Sequence, residues 1–159
     1  MKVAVLFDSK FGNTKQLAEF FAEQVEISGH EVQLFRTKET KPESLLTFEP
    51  DVILVGGPTH GFGTARTLTK YIKKLGVLIK KSTSSKIVKA AVFNCYNNRI
   101  VCQKIEKNLV NKIPNVNIYE KSHPVKTGGL KGPLPEDWET AATIFIKGFI
   151  NFFSLDIHK

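Results

Sequence analysis

The start of the chain combines an apolar strand, a polar turn and an amphipathic helix with almost no residues between them. The apolar run 3–7 leads directly into the turn 8–13, and apolar residues then recur at helical spacing. In parallel α/β proteins, the free N–H groups at the start of such a helix bind phosphate, assisted by the positive end of the helix dipole. Ser9 and Thr14 add hydroxyl donors, and Gly12 lets the backbone approach a ligand closely. The segment therefore predicts a phosphate site in a parallel α/β fold.

The turn lacks both the G-x-G-x-x-G and the G-x-x-x-x-G-K-[ST] patterns of other phosphate loops. It resembles the flavodoxin signature instead, and the residues that carry the resemblance are Val5, Leu6, Phe7, Ser9, Gly12, Thr14 and Ala18. Phe21 stands where that signature has an aliphatic residue. The resemblance implies an FMN cofactor whose phosphate is bound by Ser9, Lys10, Phe11, Gly12, Asn13 and Thr14. The alternative is an ordinary strand–turn–helix with polar caps.

The rest of the chain alternates predicted strands and helices. Strands are predicted at 2–7, 31–36, 51–57, 87–95 and 116–119, and helices at 13–28, 64–75, 98–112 and 136–153, with a weak helix near 42–47. This pattern predicts one domain over residues 1–159, a three-layer doubly wound α/β sandwich around a five-stranded parallel sheet. The resemblance implies the strand order 2-1-3-4-5. Ligands of such sheets bind at the carboxyl ends of the strands where the order reverses, a rule for which flavodoxin with FMN is itself a standard example.

Two further loops fall at the same predicted edge. The first contains Pro58, Thr59, His60, Gly61, Phe62 and Gly63. It resembles the flavodoxin loop that covers one face of the flavin, and its Pro-Thr-His sequence resembles the flavodoxin-type modules of flavodiiron proteins. The resemblance implies that His60 or Phe62 stacks on the ring. The alternative for His60 is an ordinary surface histidine.

The second of these loops contains Asn94, Cys95, Tyr96 and Asn97. The resemblance implies that Tyr96 stacks on the other flavin face and that Asn94 and Asn97 bind the pyrimidine edge. The alternatives are a core aromatic at Tyr96 and a small buried residue at Cys95. The glycine- and proline-rich segment 126–135 is expected near the ligand edge, where it covers the flavin or a partner.

Positive charge is concentrated in the middle of the chain. The net charge is +8, and residues 60–135 carry 15 basic and two acidic side chains. We therefore expect a less negative potential for the fully reduced flavin than in acidic flavodoxins, and redox protein partners with acidic docking surfaces. The alternative is a solvated lysine face without a partner. Nucleic acid is not expected, because no nucleic-acid motif or interleaved aromatic series is present.

The sequence shows neither a signal peptide nor an apolar run that would span a bilayer, and its two cysteines form no disulfide framework or metal spacing. A cytoplasmic protein is expected. The C-terminal helix has more aromatic residues than one buried stripe needs, which favours a homodimer contact through Phe149, Phe152 or Phe153.

The resemblance implies an FMN-binding electron carrier that shuttles one or two electrons between redox partners and needs no catalytic side chain. Two alternatives stay open. One is a flavodoxin-like oxidoreductase acting directly on a quinone or a tetrapyrrole. The other is a flavin-free flavodoxin-like binding module.

Overall fold

The structure, a computed structural model, describes residues 1–82 and 85–155. The elements in chain order are β1 (Lys2–Phe7), α1 (Asn13–Ile27), β2 (Glu31–Arg36), α2 (Pro42–Thr47), β3 (Val52–His60), β4 (Gly63–Thr64), α3 (Arg66–Lys81), β5 (Lys89–Tyr96), α4 (Cys102–Lys112), β6 (Asn117–Ile118), β7 (His123–Lys126) and α5 (Trp138–Ser154). The alternation of strands and helices predicts a parallel sheet, because each crossover helix returns the chain to the same edge.

The strands form one parallel sheet in the order β2-β1-β3-β5-β6, and β7 continues the β6 edge by pairing with β5. Among the strands of the described residues, only the two-residue β4 is antiparallel, as the return arm of a hairpin from β3. With β6 and β7 counted as one interrupted fifth strand, the predicted order 2-1-3-4-5 is confirmed. The order reverses between β1 and β3, so a crevice opens there at their carboxyl ends.

Alternating side chains of the sheet build two apolar layers. Val3, Val5 and Phe7 of β1 pack in the layer with α1 and α5, whereas Ala4 and Leu6 pack in the layer with α2, α3 and α4. These β1 side chains are buried. Full burial of one such large apolar side chain stabilises a fold by about 1.5–3 kcal/mol. The central strands are therefore a rigid base for the loops at their carboxyl ends.

The C-terminal end of α3 differs from the predicted one for a local reason. Helix α3 continues through Gly76 to Lys81 rather than ending at residue 75. A side chain at Gly76 would collide with the Lys112 backbone of α4, so this glycine permits close helix packing instead of ending the helix. Lys80 and Lys81, which lie beyond the predicted helix, are therefore helical, and residues 83 and 84 lie outside the described residues.

The fifth strand also differs, because the sequence predicts only 116–119. The second piece, β7, has four residues and includes Pro124, which has no N–H to donate to a ladder. Proline is accepted here because β7 is at the sheet edge, where one row of N–H groups needs no strand partner. A buried–exposed alternation over four residues is too short to indicate a strand by itself.

Helix α5 directs its aromatic residues inward. Phe149 and Phe153 are fully buried, and Phe149 packs with Tyr119, Phe145 and Phe152. Neither Phe149 nor Phe153 is therefore exposed for the dimer contact that the sequence favours. The large aromatic cluster fills the layer between α5 and the sheet, which explains why this helix has more than one apolar stripe. Phe152, the third candidate, is half-buried, and a homodimer contact through it stays a prediction.

Candidate functional site

A cavity with about 430 Å³ of empty space, open to solvent, lies at the carboxyl edge of the sheet between β1, β3 and β5. It is lined by Ser9, Lys10, Phe11, Asn13, Thr14, Pro58, Thr59, His60, Cys95, Tyr96, Asn97, Thr127, Gly129 and Leu130. The structure thus brings together eleven of the sixteen predicted site residues, drawn from all three predicted loops. The other five, Gly12, Gly61, Phe62, Gly63 and Asn94, do not line it.

The first loop is shaped by Ser9 and Gly12. The Ser9 hydroxyl oxygen accepts hydrogen bonds of 3.2 Å from the backbone N–H groups of Gly12 and Lys15. Gly12 has a φ of +100°, a conformation that residues with a side chain rarely adopt, and α1 begins at the next residue. Asn13 and Thr14 in the first turn of α1 therefore reach the cavity wall. Crowding does not require a glycine here, because a side chain would meet no atom within 4 Å. The positive φ of the backbone does require one.

Asn94 lies beneath the loops and not in the cavity. Its side chain is fully buried, and its amide group donates to the Gly57 carbonyl at 2.9 Å and to the Thr59 hydroxyl at 3.2 Å. Its side-chain oxygen accepts a 3.0 Å hydrogen bond from the Val101 N–H. These bonds occupy the Asn94 amide, so the pyrimidine-edge contact implied for it is not supported by its placement. Because the Val101 N–H is bound to Asn94, residues before Cys102 are not helical, and α4 begins at Cys102 rather than at the predicted residue 98.

The second loop is a hairpin. Strand β3 extends to His60 and returns as β4, with Thr59 opposite Thr64 and His60 opposite Gly63. The Thr59 hydroxyl donates to the Arg99 carbonyl at 2.6 Å, which ties this hairpin to the loop after β5. Phe62 at the tip is 75% exposed. Of the two implied stacking candidates in this loop, the structure places His60 at the cavity and Phe62 outside it.

The fourth side of the cavity is the segment after β7, which contributes Thr127, Gly129 and Leu130. The Thr127 N–H donates to the Tyr96 carbonyl at 2.8 Å, and the Asn13 side-chain amide donates to the Gly132 carbonyl at 2.6 Å. The segment is therefore attached both to the first loop and to the loop after β5. Its glycine and proline content indicates a shaped loop near this edge, but no sequence pattern identifies which of its residues face the cavity.

The thiol of Cys95, which lines the cavity, is not activated as a nucleophile. Burial raises the pKa of the Cys95 thiol to about 11, and a hydrogen bond with Thr14 offsets only part of this effect. The thiol is therefore neutral near pH 7, as expected for a small buried residue. Cys102 is also free and buried. Within residues 1–82 and 85–155, no group of three or more His, Cys, Asp or Glu side chains is arranged to hold a metal ion.

Residues 4–113 match the family model of the flavodoxin domain, which covers more than half of the chain. The chain belongs to the flavodoxin family. No curated protein matches the sequence.

Solved structures of this family and of larger proteins share the fold. The chain superposes on the rubredoxin oxygen:oxidoreductase of Desulfovibrio gigas with a TM-score of 0.78 at 17% identity, over 99% of this chain and 37% of that one. It therefore spans little more than a third of that protein. An archaeal flavodoxin gives a TM-score of 0.73 at 20% identity, over 92% and 95% of the two chains. Flavodoxin 2 of Bacillus cereus gives 0.73 at 19% identity, over 95% and 99%.

The lining of this cavity includes basic but no acidic side chains. Lys10 and His60 line the cavity, and no carboxylate is among its lining residues. The nearest acidic residue in sequence, Asp8, is fully buried and accepts hydrogen bonds from the Thr37 and Thr67 hydroxyls. Asp8 therefore joins the end of β1 to β2 and α3 rather than facing the cavity.

The described part of the chain contains no helix long and apolar enough to cross a membrane.

Proposed function

We propose that the cavity binds FMN non-covalently and that the protein carries electrons between redox partners. The observation that supports this most strongly is the position of the cavity. It lies where the strand order reverses between β1 and β3, with the beginning of α1 at one end and the β5 loop at the other. Flavodoxin binds FMN at this switch point.

The residues of the first loop suit a phosphate. The Ser9 oxygen already accepts two backbone N–H bonds, so its own hydroxyl proton is available to a phosphate oxygen. Thr14 supplies a second hydroxyl, and the N–H groups at the start of α1 have no acceptor within the helix. In this proposal, Ser9, Asn13 and Thr14 hold the phosphate group.

The other loops suit a flat ring. Tyr96 is half-buried at the cavity and has a large aromatic ring, and Pro58 and His60 line the same cavity from β3. Cys95 and Asn97 add uncharged side chains to the cavity lining. A bound flavin itself supplies one- and two-electron chemistry, so the protein has to bind, orient and tune it without an acid or a base of its own.

The test is an absorption and fluorescence titration of the purified protein with FMN, with riboflavin as the matched ligand that lacks the phosphate. We expect perturbed flavin bands, quenched fluorescence and much tighter binding of FMN than of riboflavin. Equal affinity for both ligands would argue against a phosphate site in the first loop. No binding of excess FMN would overturn the cofactor proposal and favour the flavin-free binding module.

A second assay separates an electron carrier from a self-contained enzyme. The flavin-loaded protein is mixed with a reduced nicotinamide and either a soluble quinone or a tetrapyrrole, without any other protein. A carrier gives no turnover under these conditions, whereas a direct oxidoreductase does. A reducing, cytoplasmic location is part of the proposal, in keeping with the two free cysteines.

A further inference from the structure

The β3–β4 hairpin separates two open depressions that lie outside the cofactor cavity. Gly63 and Thr64 line both of them. The remaining residues of the first are Lys10, Lys38, His60, Arg66 and Thr67, and those of the second are Thr69, Lys104, Lys107, Asn108 and Asn111. None of these lining residues has a carboxylate. The hairpin is therefore surrounded by positive charge on both sides.

At the tip of the hairpin, an exposed aromatic residue contacts two basic side chains. Phe62 is 75% exposed, and the Arg99 guanidinium carbon lies 5.6 Å from the centre of its ring. The Lys104 ammonium group donates a 3.0 Å hydrogen bond to the Phe62 carbonyl. Exposed aromatic side chains and arginines are enriched at protein–protein interfaces and often dominate their binding energy. The arrangement has the composition of an interface core with a basic rim.

We propose that this hairpin face, made of Phe62, Arg66, Arg99, Lys104 and Lys107, is the docking surface for an acidic electron-transfer protein. The inference rests on the proposed function, because it places the partner next to the bound cofactor. Lys10 and His60 line both the cofactor cavity and the first depression, so a protein seated on the hairpin face lies beside the opening of the cavity.

The hairpin face fits a folded protein better than a nucleic acid. Single-stranded nucleic acids stack successive bases on several aromatic rings, and the hairpin face offers one. One exposed ring instead suits a single apolar socket within a negatively charged surface. Electron-transfer encounters use small interfaces, below about 1,200 Å² of buried surface, so a partner of this kind needs no extensive contact surface.

The proposal predicts that charge controls the rate of electron transfer. Cytochrome c is a basic protein, and succinylation of its lysines gives it an acidic surface around the same haem. Each reaction moves one electron from the reduced, flavin-loaded protein to a ferric haem, which becomes ferrous. We expect the succinylated form to react at least about tenfold faster at low ionic strength, and the advantage to disappear in high salt. A faster reaction with native cytochrome c would overturn the proposal.

Two matched pairs of charge reversals test the location. Arg66→Glu with Lys107→Glu changes the hairpin face, and Lys86→Glu with Lys147→Glu makes the same change of net charge elsewhere. Lys86 lies before β5, at the opposite sheet edge, and Lys147 is exposed on α5. We expect the first pair to slow the reaction with succinylated cytochrome c about tenfold or more, and the second pair less than about threefold. Equal losses would mean that net charge alone matters, and the proposed docking surface would be wrong.

A third pair tests the ring. Phe62→Ala removes the exposed aromatic, and Ile144→Ala removes an exposed apolar side chain of α5. We expect the Phe62 variant to slow the reaction at every salt concentration, because the lost contact is apolar, whereas the Ile144 variant keeps the original rate. Unchanged rates for the Phe62 variant would show that the Phe62 ring does not contact the partner.

A readout that does not need the flavin separates this proposal from the proposed function. Amide signals of the isotope-labelled protein are followed by NMR while succinylated cytochrome c is added, with and without FMN. Shifts confined to the hairpin face support the docking surface even if no flavin binds. Flavin binding with shifts elsewhere supports the cofactor and overturns the docking surface. Larger shifts of the hairpin amides with a DNA duplex than with the acidic protein would identify a nucleic-acid interface and refute the proposal.

Discussion

The side-chain amide of Asn13 lies 2.6 Å from the carbonyl oxygen of Gly132 and donates a hydrogen bond to it. Asn13 is the first residue of α1, and Gly132 belongs to the segment that forms the fourth side of the cavity. One side chain thus connects the proposed phosphate loop to the segment after β7. The two walls of the site are therefore expected to be ordered together when a ligand binds.

Asn13→Ala is expected to weaken FMN binding about fivefold to tenfold, since the loss of one hydrogen bond costs about 1 kcal/mol. The fluorescence titration with FMN measures this change. Asn151→Ala, at an exposed position of α5, is the control and should bind FMN as the original protein does. An unchanged affinity of the Asn13 variant would mean that neither the proposed phosphate contact of Asn13 nor its hydrogen bond to Gly132 supports the bound cofactor.

Asn94 and Asn97 provide a contrast between a supporting and a lining residue. Asn94→Ala leaves the buried Val101 N–H and the Gly57 carbonyl without their partner, so the free energy of unfolding should fall by about 1–3 kcal/mol. Asn97 is exposed and lines the cavity, so Asn97→Ala should weaken FMN binding with little effect on stability. Urea denaturation and FMN titration of both variants check the pair. The assignment of the two roles is wrong if the stability losses are equal.

The sequence predicts much of this architecture because the central strands are continuous apolar runs. The apolar run 51–57 has to be covered on both faces, and helices with apolar stripes on either side of it supply the cover. The loop residues 9–14, 58–60 and 95–97 then meet at one edge as a consequence of parallel topology. The sequence therefore predicts both the sheet and most of the cavity wall.

What the sequence does not predict depends on contacts between distant residues. Asn94 has the same chemistry as Asn97, and only the strand register, which places Asn94 opposite Gly57, directs its side chain inward. The extension of β3 to His60 depends on pairing with Gly63 and Thr64, a two-residue partner with no pattern of its own. Similarly, Gly76 resembles a helix end until the backbone of Lys112 is seen to pack against it.

Two glycines in different conformations test the shape of the first loop. Gly12 and Gly63 both have open space where a side chain would be, but only Gly12 has a positive φ, of +100°. Gly12→Ala should lower the free energy of unfolding by about 1–2 kcal/mol and also weaken FMN binding, because the strained loop shifts away from the phosphate position. Gly63→Ala should change stability by less than about 0.5 kcal/mol. Urea denaturation and FMN titration measure both effects. Similar results for the two variants would contradict the conformational argument.

The positive surroundings of the cavity should raise the potential of the bound flavin. Lys10 lines the cavity, and the ammonium groups of Lys10 and Lys131 lie 5.3 Å and 5.5 Å from the centre of the Phe11 ring at the same wall. Positive charge stabilises the fully reduced, anionic flavin, so its potential should be less negative than in an acidic flavodoxin. A potentiometric titration measures this. Lys131→Gln should make the potential more negative, whereas Lys86→Gln at the opposite sheet edge should leave it unchanged. A potential as low as that of an acidic flavodoxin would refute the electrostatic argument.

The buried histidine of β7 should make stability depend on pH. His123 packs between Phe21 and Phe145, with ring centres 5.8 Å and 5.1 Å away. Burial lowers its pKa from 6.5 to about 4, so the folded protein holds the neutral ring while the unfolded chain gains a proton below about pH 6.5. Above pH 6.5 this difference does not reduce the free energy of unfolding, because the ring is neutral in both states. As the pH falls from 6.5 towards 4, the free energy of unfolding decreases by about 3 kcal/mol.

Urea denaturation of the original protein and of His123→Phe, at about pH 7.5 and about pH 4.5, isolates this contribution, since other titrating groups are common to both proteins. We expect the original protein to lose more stability than the variant between the two pH values, because phenylalanine fills the same aromatic cluster without a proton to gain. His60→Phe is the matched control, since His60 is exposed at the end of β3 and its substitution leaves the buried ring in place. That variant should keep the full pH dependence of the original protein. If His123→Phe also keeps it, the acid-sensitive group lies elsewhere in the fold.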